Sequence, residues 1–314
     1  MDFGQIIEII KAATHLTISA HTSPDGDAIG AMVAMGQICE SLGKPYTILL
    51  EEPIKQFSYL LDMCKCDKEL DRPVHTFIAL DCGDVDRLVG YETYFKAAHT
   101  TINIDHHITN TAYGAYNLVQ KEASSTCEVI YQLLEAWGLP LNKLIGQALY
   151  TGLVTDTGGF MHNCTAPSTH HAAAKLIELG FDAPTIYRKL IHEKSLGTVK
   201  LQSIVATHLE CVHPKGLYIT TLSEAELETS GATKEDLDGV VSYLKNIEGV
   251  EVMAFIYPKG PSIYKLSMRA NPPYDVSSFC AAFGGGGHIL ASGATLAGTL
   301  EEVVAKVKDK MQTL

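Results

Sequence analysis

The chain is short of positive charge. Its 24 Lys and Arg face 36 Asp and Glu, a formal net charge of −12, which argues against gripping long nucleic acid by general electrostatics. An acidic protein can still act on phosphates where bound divalent cations reverse the sign locally. Long apolar runs are missing too. The most hydrophobic helix candidate, Ala28 to Cys39, is short and interrupted by Gly30, Gly36 and Gln37, which excludes it as a membrane span. Met1-Asp2-Phe3-Gly4 opens without a basic segment leading into an apolar one, so no signal peptide is expected. Of eight cysteines only Cys64 and Cys66 lie close together, without the spacing of a zinc knuckle or redox pair. A reducing cytoplasm is the expected location, with the cysteines as core residues. There is no internal repeat and no low-complexity tail.

What is present is ordinary globular material in generous length. At 314 residues, 46% hydrophobic and 19% charged, two domains are expected. Phe3, Ile6, Ile7 and Ile10 recur at helical spacing. Leu16–Ala20, Tyr46–Leu50, Phe77–Leu80 and Ile102–Ile104 read as buried strands. Helices are expected over 28–42, 57–61, 125–137, 141–154 and 167–179, the longer ones stopped by Gly43, Gly138 and Gly180. This alternation predicts an α/β fold with a mostly parallel sheet and helices on both faces. From Tyr187 to Val212 the pattern is helical without strand signals and reads as a connector. A second, smaller α/β unit follows. It has strands at 217–222, 250–257 and 263–269 and helices from Ser223 and Thr233, each with an acid three residues on. A short helix at 276–282 and a last helix after Thr299 complete it.

The chemistry gathers at strand ends. Ile104-Asp105-His106-His107 closes one strand, and three more ends are acidic: His21-Thr-Ser-Pro-Asp25-Gly-Asp27, Asp81 after Phe77–Leu80, and Asp156 in Thr-Asp-Thr-Gly-Gly. In open parallel sheets ligands gather beyond the carboxyl ends of the strands. Each acid has a bland alternative: Asp27 as a helix N-cap with Asp25 solvated, Asp81 in an Asx turn, Asp156 in a turn. Gly26 reads as a tight turn between its flanking acids, and Asp84 and Asp86 as outer or solvated groups. The bland readings do not explain four acidic ends at once. Oxygen-rich sites with some imidazole suit Mn²⁺ or Mg²⁺ better than structural zinc. So many carboxylates suit two ions, about 3.5–4 Å apart, with a shared acid and a bridging hydroxide for in-line displacement at phosphorus. Neighbouring histidines diverge, so one of His106 and His107 is expected to ligate and the other to face substrate.

His-x-x-x-Asp-x-Asp, Asp81, the Asp105-His106-His107 triplet and Asp156 together resemble the four motifs of the DHH phosphoesterase superfamily. Arg269 followed by Phe283-Gly284-Gly285-Gly286-Gly287-His288 resembles its partner DHHA1 domain. The resemblance covers essentially the whole chain. It implies a DHH metal-binding catalytic domain at 1–188, a helical linker at 189–212 and a DHHA1 substrate-binding domain at 213–314. It also implies two Mn²⁺ ions, with Mg²⁺ or Co²⁺ as substitutes. His21 and Asp25 would hold one ion, and Asp27, His106 and Asp156 the other, with Asp81 bridging. Asp105 would orient a histidine, and His107 would face the scissile phosphate as proton donor or charge stabiliser. Arg269, the glycine run and His288 would form a phosphate-holding shelf. Tyr257, Tyr264 and Tyr274 lie near it in sequence and read equally as base-stacking rings or as core residues.

In length and architecture the closest likeness is to the nanoRNase/pAp phosphatase subgroup. That implies Mn-dependent hydrolysis of short RNA to mononucleotides and removal of a phosphate from 3′-phosphoadenosine 5′-phosphate (pAp). No long nucleic acid or membrane partner is expected, and a homodimer is the default. The main rival is a phosphodiesterase for linear or cyclic dinucleotides of the pApA or pGpG type. A same-superfamily pyrophosphatase ranks low, because that group carries a strongly basic C-terminal motif instead of Gly284–His288. A non-catalytic nucleotide-sensing module ranks below these, since every ligand position is filled. Two departures from the subgroup are Met161-His162 after Phe160, where an Arg is usual, and Ala270 after Arg269 in place of a small polar residue.

Overall fold

The computed structural model describes residues 2–233, 235–237 and 239–314. The chain divides into two compact units, Met1–Glu193 and Lys194–Leu314.

In the first unit Asp2 caps α1 (Phe3–Ala12), whose Ile6, Ile7 and Ile10 are buried as their spacing predicts. β1 (Leu16–Ala20) and α2 (Gly26–Ser41) follow, then β2 (Tyr46–Leu49), the short α3 (Ser58–Leu61), β3 (Cys66–Asp67) and β4 (Thr76–Leu80). Next come α4 (Glu92–Ala97), β5 (Thr100–Asp105) and β6 (Tyr116–Val119). The unit closes with α5 (Thr126–Trp137), α6 (Lys143–Asp156), α7 (Pro167–Ile177) and α8 (Ala183–Tyr187). The six strands form an all-parallel sheet in the order β3-β2-β1-β4-β5-β6. Residues of β1, β4 and β5 are buried on both sides of the sheet, as parallel strands covered on two faces require. The larger core lies under α2, α5 and α6. A smaller one gathers Phe77, Ala79, Leu88 and Phe95 on the opposite face. The strand order reverses between β1 and β4, which places the ligand crevice of such a sheet at their carboxyl ends.

The second unit starts with α9 (Leu196–Thr207). The helical reading across Tyr187–Val212 stops there, because Glu210–His213 is a strand, β7, paired with β8 (Leu217–Thr221). A four-residue edge strand of mixed polarity carries too little period-2 signal to be told from a helix end. α10 (Glu224–Ser230) has the expected capping box, Ser223 with Glu226. The helix expected at Thr233 is only a 3₁₀ turn over Glu235–Leu237, with Thr233 N–H donating to Asp236, and α11 begins at Val240 (Val240–Lys245). Then come β9 (Val252–Gly260), β10 (Ile263–Ala270), α12 (Val276–Ala281), β11 (Gly286–His288), β12 (Ala291–Ala297) and α13 (Leu300–Met311). The sheet runs β11-β12-β10-β9-β8-β7 and is antiparallel except for β8 with β9. Among the described residues no helix is long and apolar enough to cross a membrane.

Candidate metal centre

Asp25 caps α2, its carboxylate accepting from the N–H groups of Asp27 and Ala28 at 3.0 and 3.1 Å. The cap is thus Asp25 and not Asp27, which is one residue into the helix and fully buried. Gly26 makes no turn. It is the first helical residue, and its missing Cβ leaves room for the Thr155 side chain of α6. Asp27 reaches across to the start of α5. Its Oδ2 accepts from Thr126 N–H at 2.6 Å and its Oδ1 from Cys127 N–H at 2.9 Å, the favourable place for a carboxylate at a helix N-terminus.

Asp81, directly after β4, has φ +51°, a left-handed conformation that strains most L-residues by about 1–3 kcal/mol and that Asp tolerates better than most. Its buried carboxylate sits amid three imidazoles. Oδ2 is 3.6 Å from His21 Nε2, and Oδ1 is 3.6 Å from both His106 Nε2 and His107 Nδ1. Thr126 Oγ1 donates to Oδ1 at 3.0 Å. His106 directs Nδ1 to the Ala123 carbonyl at 3.3 Å, which turns Nε2 toward Asp156 Oδ2 at 3.2 Å. His107 donates from Nδ1 to Asp105 Oδ1 at 2.7 Å, and Asn110 donates to the other oxygen of Asp105. Asp105 is fully buried. Asp84 and Asp86 stay outside, Asp84 accepting from Asp86 N–H at 3.0 Å.

Ligand-capable atoms therefore converge in three overlapping groups, each within 4.8 Å: His21, Asp25 and Asp81; Asp27, His106 and Asp156; Asp81, His106 and His107. The electrostatics are those of crowded like charge. Burial, followed by the Asp81 and Asp156 charges, raises the Asp27 pKa well above the carboxylate range. Burial pushes Asp156 up to about 6, with Asp81 and Asp25 adding to it against His106. Burial opposes protonation of His21, but Asp81, the Thr22 carbonyl and Asp25 outweigh it and raise its pKa. The Asp105 hydrogen bond raises that of His107. Among the described residues Asp81 and Asp156 pair only with histidines. Carboxylates forced upward by one another, with oxygen and imidazole donors and no thiolate, fit hard or borderline divalent cations.

In the second unit Arg269 on β10 stands opposite Ala291 on β12, and Ala291 opposite His288 on β11. Facing residues share a side of a sheet, so Arg269 and His288 flank the small Ala291 on one face, roughly 9–10 Å apart by strand spacing. Ala270 alternates to the other face and is buried in the core with Leu266 and Met268. The glycine run is half turn and half strand. Gly284 and Gly285 N–H donate to the Ala281 and Cys280 carbonyls that end α12, so these amides are spent on the helix end. Gly286 and Gly287 belong to strand β11. Tyr264 and Tyr274 pack against one core and Tyr257 against another.

Residues 15–153 match the DHH family N-terminal domain and residues 217–313 the DHHA1 domain. The chain belongs to the DHH–DHHA1 phosphoesterase family. The "bifunctional oligoribonuclease and PAP phosphatase NrnA" of Thermus thermophilus is 28% identical over 98% of this chain and 93% of its own length. The protein of that name in Bacillus subtilis is 26% identical over 93% and 92%. An exopolyphosphatase-related protein from Bacteroides fragilis shares the fold, with TM-score 0.85 at 24% identity, covering 99% of this chain and 95% of that one.

Within this DHH–DHHA1 phosphoesterase, sequence reasoning misses two side chains at the centre, Asn110 and Thr126. Asn110 also donates to Asn103 at 2.8 Å, tying Asp105 to the floor of the sheet. Thr126 touches Asp27 through its amide and Asp81 through its hydroxyl. The Ser-Ser-Thr stretch before α5 signals a helix cap, but nothing local says which acid the exposed amides meet. Met161 is exposed, and His162 folds its Nδ1 back to the Asp156 carbonyl at 3.0 Å.

Proposed function

We propose that this phosphoesterase hydrolyses short oligoribonucleotides to mononucleotides and removes the 3′-phosphate of pAp to leave AMP, with two Mn²⁺ ions as cofactor. The observation that carries the reading is the set of overlapping donor groups beyond the first sheet's strands, together with relatives of that name over nearly the full chain. His21 and Asp25 would hold one ion and Asp27, His106 and Asp156 the other, with Asp81 available to both. Two divalent ions bound there would neutralise phosphate oxygens and lower the pKa of a water molecule.

The chain's own groups do the rest. Asp105 and Asn110 fix the His107 ring so that Nε2 is presented outward for a proton or a developing negative charge. Arg269 and His288 grip a terminal phosphate from one face of the second sheet, with Gly286 and Gly287 keeping the strand beside them bare and Gly284 and Gly285 setting its turn. The proposed division of labour is a catalytic DHH domain over 1–188, a linker over 189–212 and a substrate-binding DHHA1 domain over 213–314. The work is proposed to take place in the cytoplasm.

The test is turnover with Mn²⁺ and with chelator on four substrates: pAp, a 5′-phosphorylated RNA dinucleotide, a longer RNA and pyrophosphate. Chelator-sensitive turnover of the first two alone is the expected result. Turnover of the dinucleotide alone would replace the reading with a dinucleotide phosphodiesterase, and none at all would refute catalysis.

A further inference from the structure

Beside the acid cluster the first unit holds a cavity of about 240 Å³ to which, of the metal donors, His21 alone contributes among the described residues. His21 is a wall common to both, lining the cavity while its Nε2 lies 3.6 Å from Asp81. The floor is apolar, with Met32 buried beneath it, and the rim carries Val89, which is 56% exposed, and the half-buried ring of Tyr91. Glu51 and Glu52 complete the rim. Lys68, itself outside the cavity, lies 3.8 Å from Glu52.

We infer that this cavity receives the nucleobase of the substrate nucleotide and favours bases that carry an exocyclic amine. The inference rests on the phosphoesterase reading only for where the phosphate lies. Size comes first: the volume is below the roughly 300–1,000 Å³ of pockets that enclose drug-sized ligands, so it suits one planar ring system. Surface chemistry comes second. A base laid against Val89 and Tyr91 covers exposed apolar surface and gains a stacking partner. Charge decides the orientation. Two carboxylates on the rim repel phosphate and accept hydrogen bonds from N–H donors, so the anionic end stays on the metal side of His21 and the base enters here. Glu51, which makes no ion pair among the described residues, is the acceptor for the amine. Adenine and cytosine present an exocyclic amine at the edge where hypoxanthine and uracil present a carbonyl, and guanine carries one at its 2-position. The ring N–H of hypoxanthine and uracil lies one atom further round and is not where Glu51 meets the amine.

The experiment has two arms on the full chain. In the first, adenosine, inosine and ribose are offered to the chelated protein and binding is read by saturation-transfer NMR, independent of any turnover. Adenosine is expected to bind, inosine several-fold more weakly and ribose not at all, and Val89→Asp should abolish the adenosine signal. Equal signals from adenosine and ribose, or an undiminished signal in Val89→Asp, would overturn the inference. In the second arm kcat/KM is compared for pAp and its inosine analogue. The wild type should prefer pAp about tenfold, and Glu51→Gln, which can also donate to a carbonyl, should bring the ratio near one. An unchanged ratio with both substrates turned over defeats the base pocket alone. Failure to hydrolyse either substrate defeats the proposed function instead, and the adenosine arm then decides the pocket.

Discussion

Gly152 on α6 faces Asp27 on α2 so closely that a Cβ on Gly152 would overlap the Asp27 carboxylate and the Cys127 thiol together. Asp27 cannot retreat, because both its oxygens already accept amides from the start of α5. Three helices therefore meet at one carboxylate, and the glycine is what lets them meet. Gly152→Ala is expected to destabilise the protein by about 1–3 kcal/mol through overpacking and to cut kcat/KM by displacing Asp27. Chemical denaturation and steady-state kinetics on the same preparation check both effects. A stable variant with full activity would show that the junction has slack.

Removing the metal should matter most for Asp81. Asp81→Asn keeps the shape and the tolerance for φ +51° while deleting a charge that raises the pKa of Asp27 and Asp156. In chelator its melting temperature should equal or exceed that of the wild type. Added Mn²⁺ should raise the wild-type value and move the variant less. Turnover should fall by more than the roughly 10–100-fold typical of a change outside the ligand set. A variant as active and as metal-responsive as wild type would remove Asp81 from the centre.

Asn110 is expected to act through Asp105. Asn110→Ala leaves the buried Asp105 with one partner fewer and frees the His107 ring, so kcat should drop about tenfold or more with KM little changed. The pH profile of kcat should shift as well, because the Asp105 bond is what raises the His107 pKa. A change confined to thermal stability would reduce Asn110 to a structural role.

On the second sheet, Arg269→Ala should raise KM with little effect on kcat, as expected when a contact made equally in the ground and transition states is lost. Because Arg269 and His288 flank Ala291 on one face, Ala291→Leu should raise KM as well, by filling the gap between them. A double-mutant cycle on Arg269 and His288 should show coupling above about 0.5 kcal/mol if they hold one phosphate. Additive losses would mean separate contacts.

Acid stability should trace to Glu128, buried in the first turn of α5 and accepting from Ser124 N–H and Oγ and from Thr169 Oγ1 at 2.5–3.0 Å. Burial works to raise its pKa, but these hydrogen bonds outweigh it and hold it below the ordinary value. A lowered folded-state pKa contributes stability that is present above the unfolded value, about 4.3, and is lost as pH falls through the folded one. Glu128→Gln should therefore cost about 1–3 kcal/mol at pH 7 and flatten the stability curve between roughly pH 5 and 3. An unchanged acid limb in denaturation profiles would refute the assignment.

Local pattern was enough for four strands of the first sheet and the acids beyond them, but not for its edge strands β3 and β6, which are two and four residues long. β1, β4 and β5 are short buried stretches of apolar and β-branched residues with a few small or polar ones among them, and the residue where the stretch stops is where a parallel sheet presents its ligands. Hence Asp81, Asp105 and the residues after Ala20 were legible. The second unit was less so. β7, β11 and β12 are short, glycine-containing or half-exposed, and their alternation is too weak to stand out. Which acid meets the amides of α5 some hundred residues away, and which residues of the second sheet face one another, were settled by packing alone. Those pairings follow from Gly26 and Gly152 letting α2 and α6 close on each other, and from strand register putting His288 level with Arg269. No periodicity carries such information, because it depends on residues far apart in the chain being brought within a few ångströms.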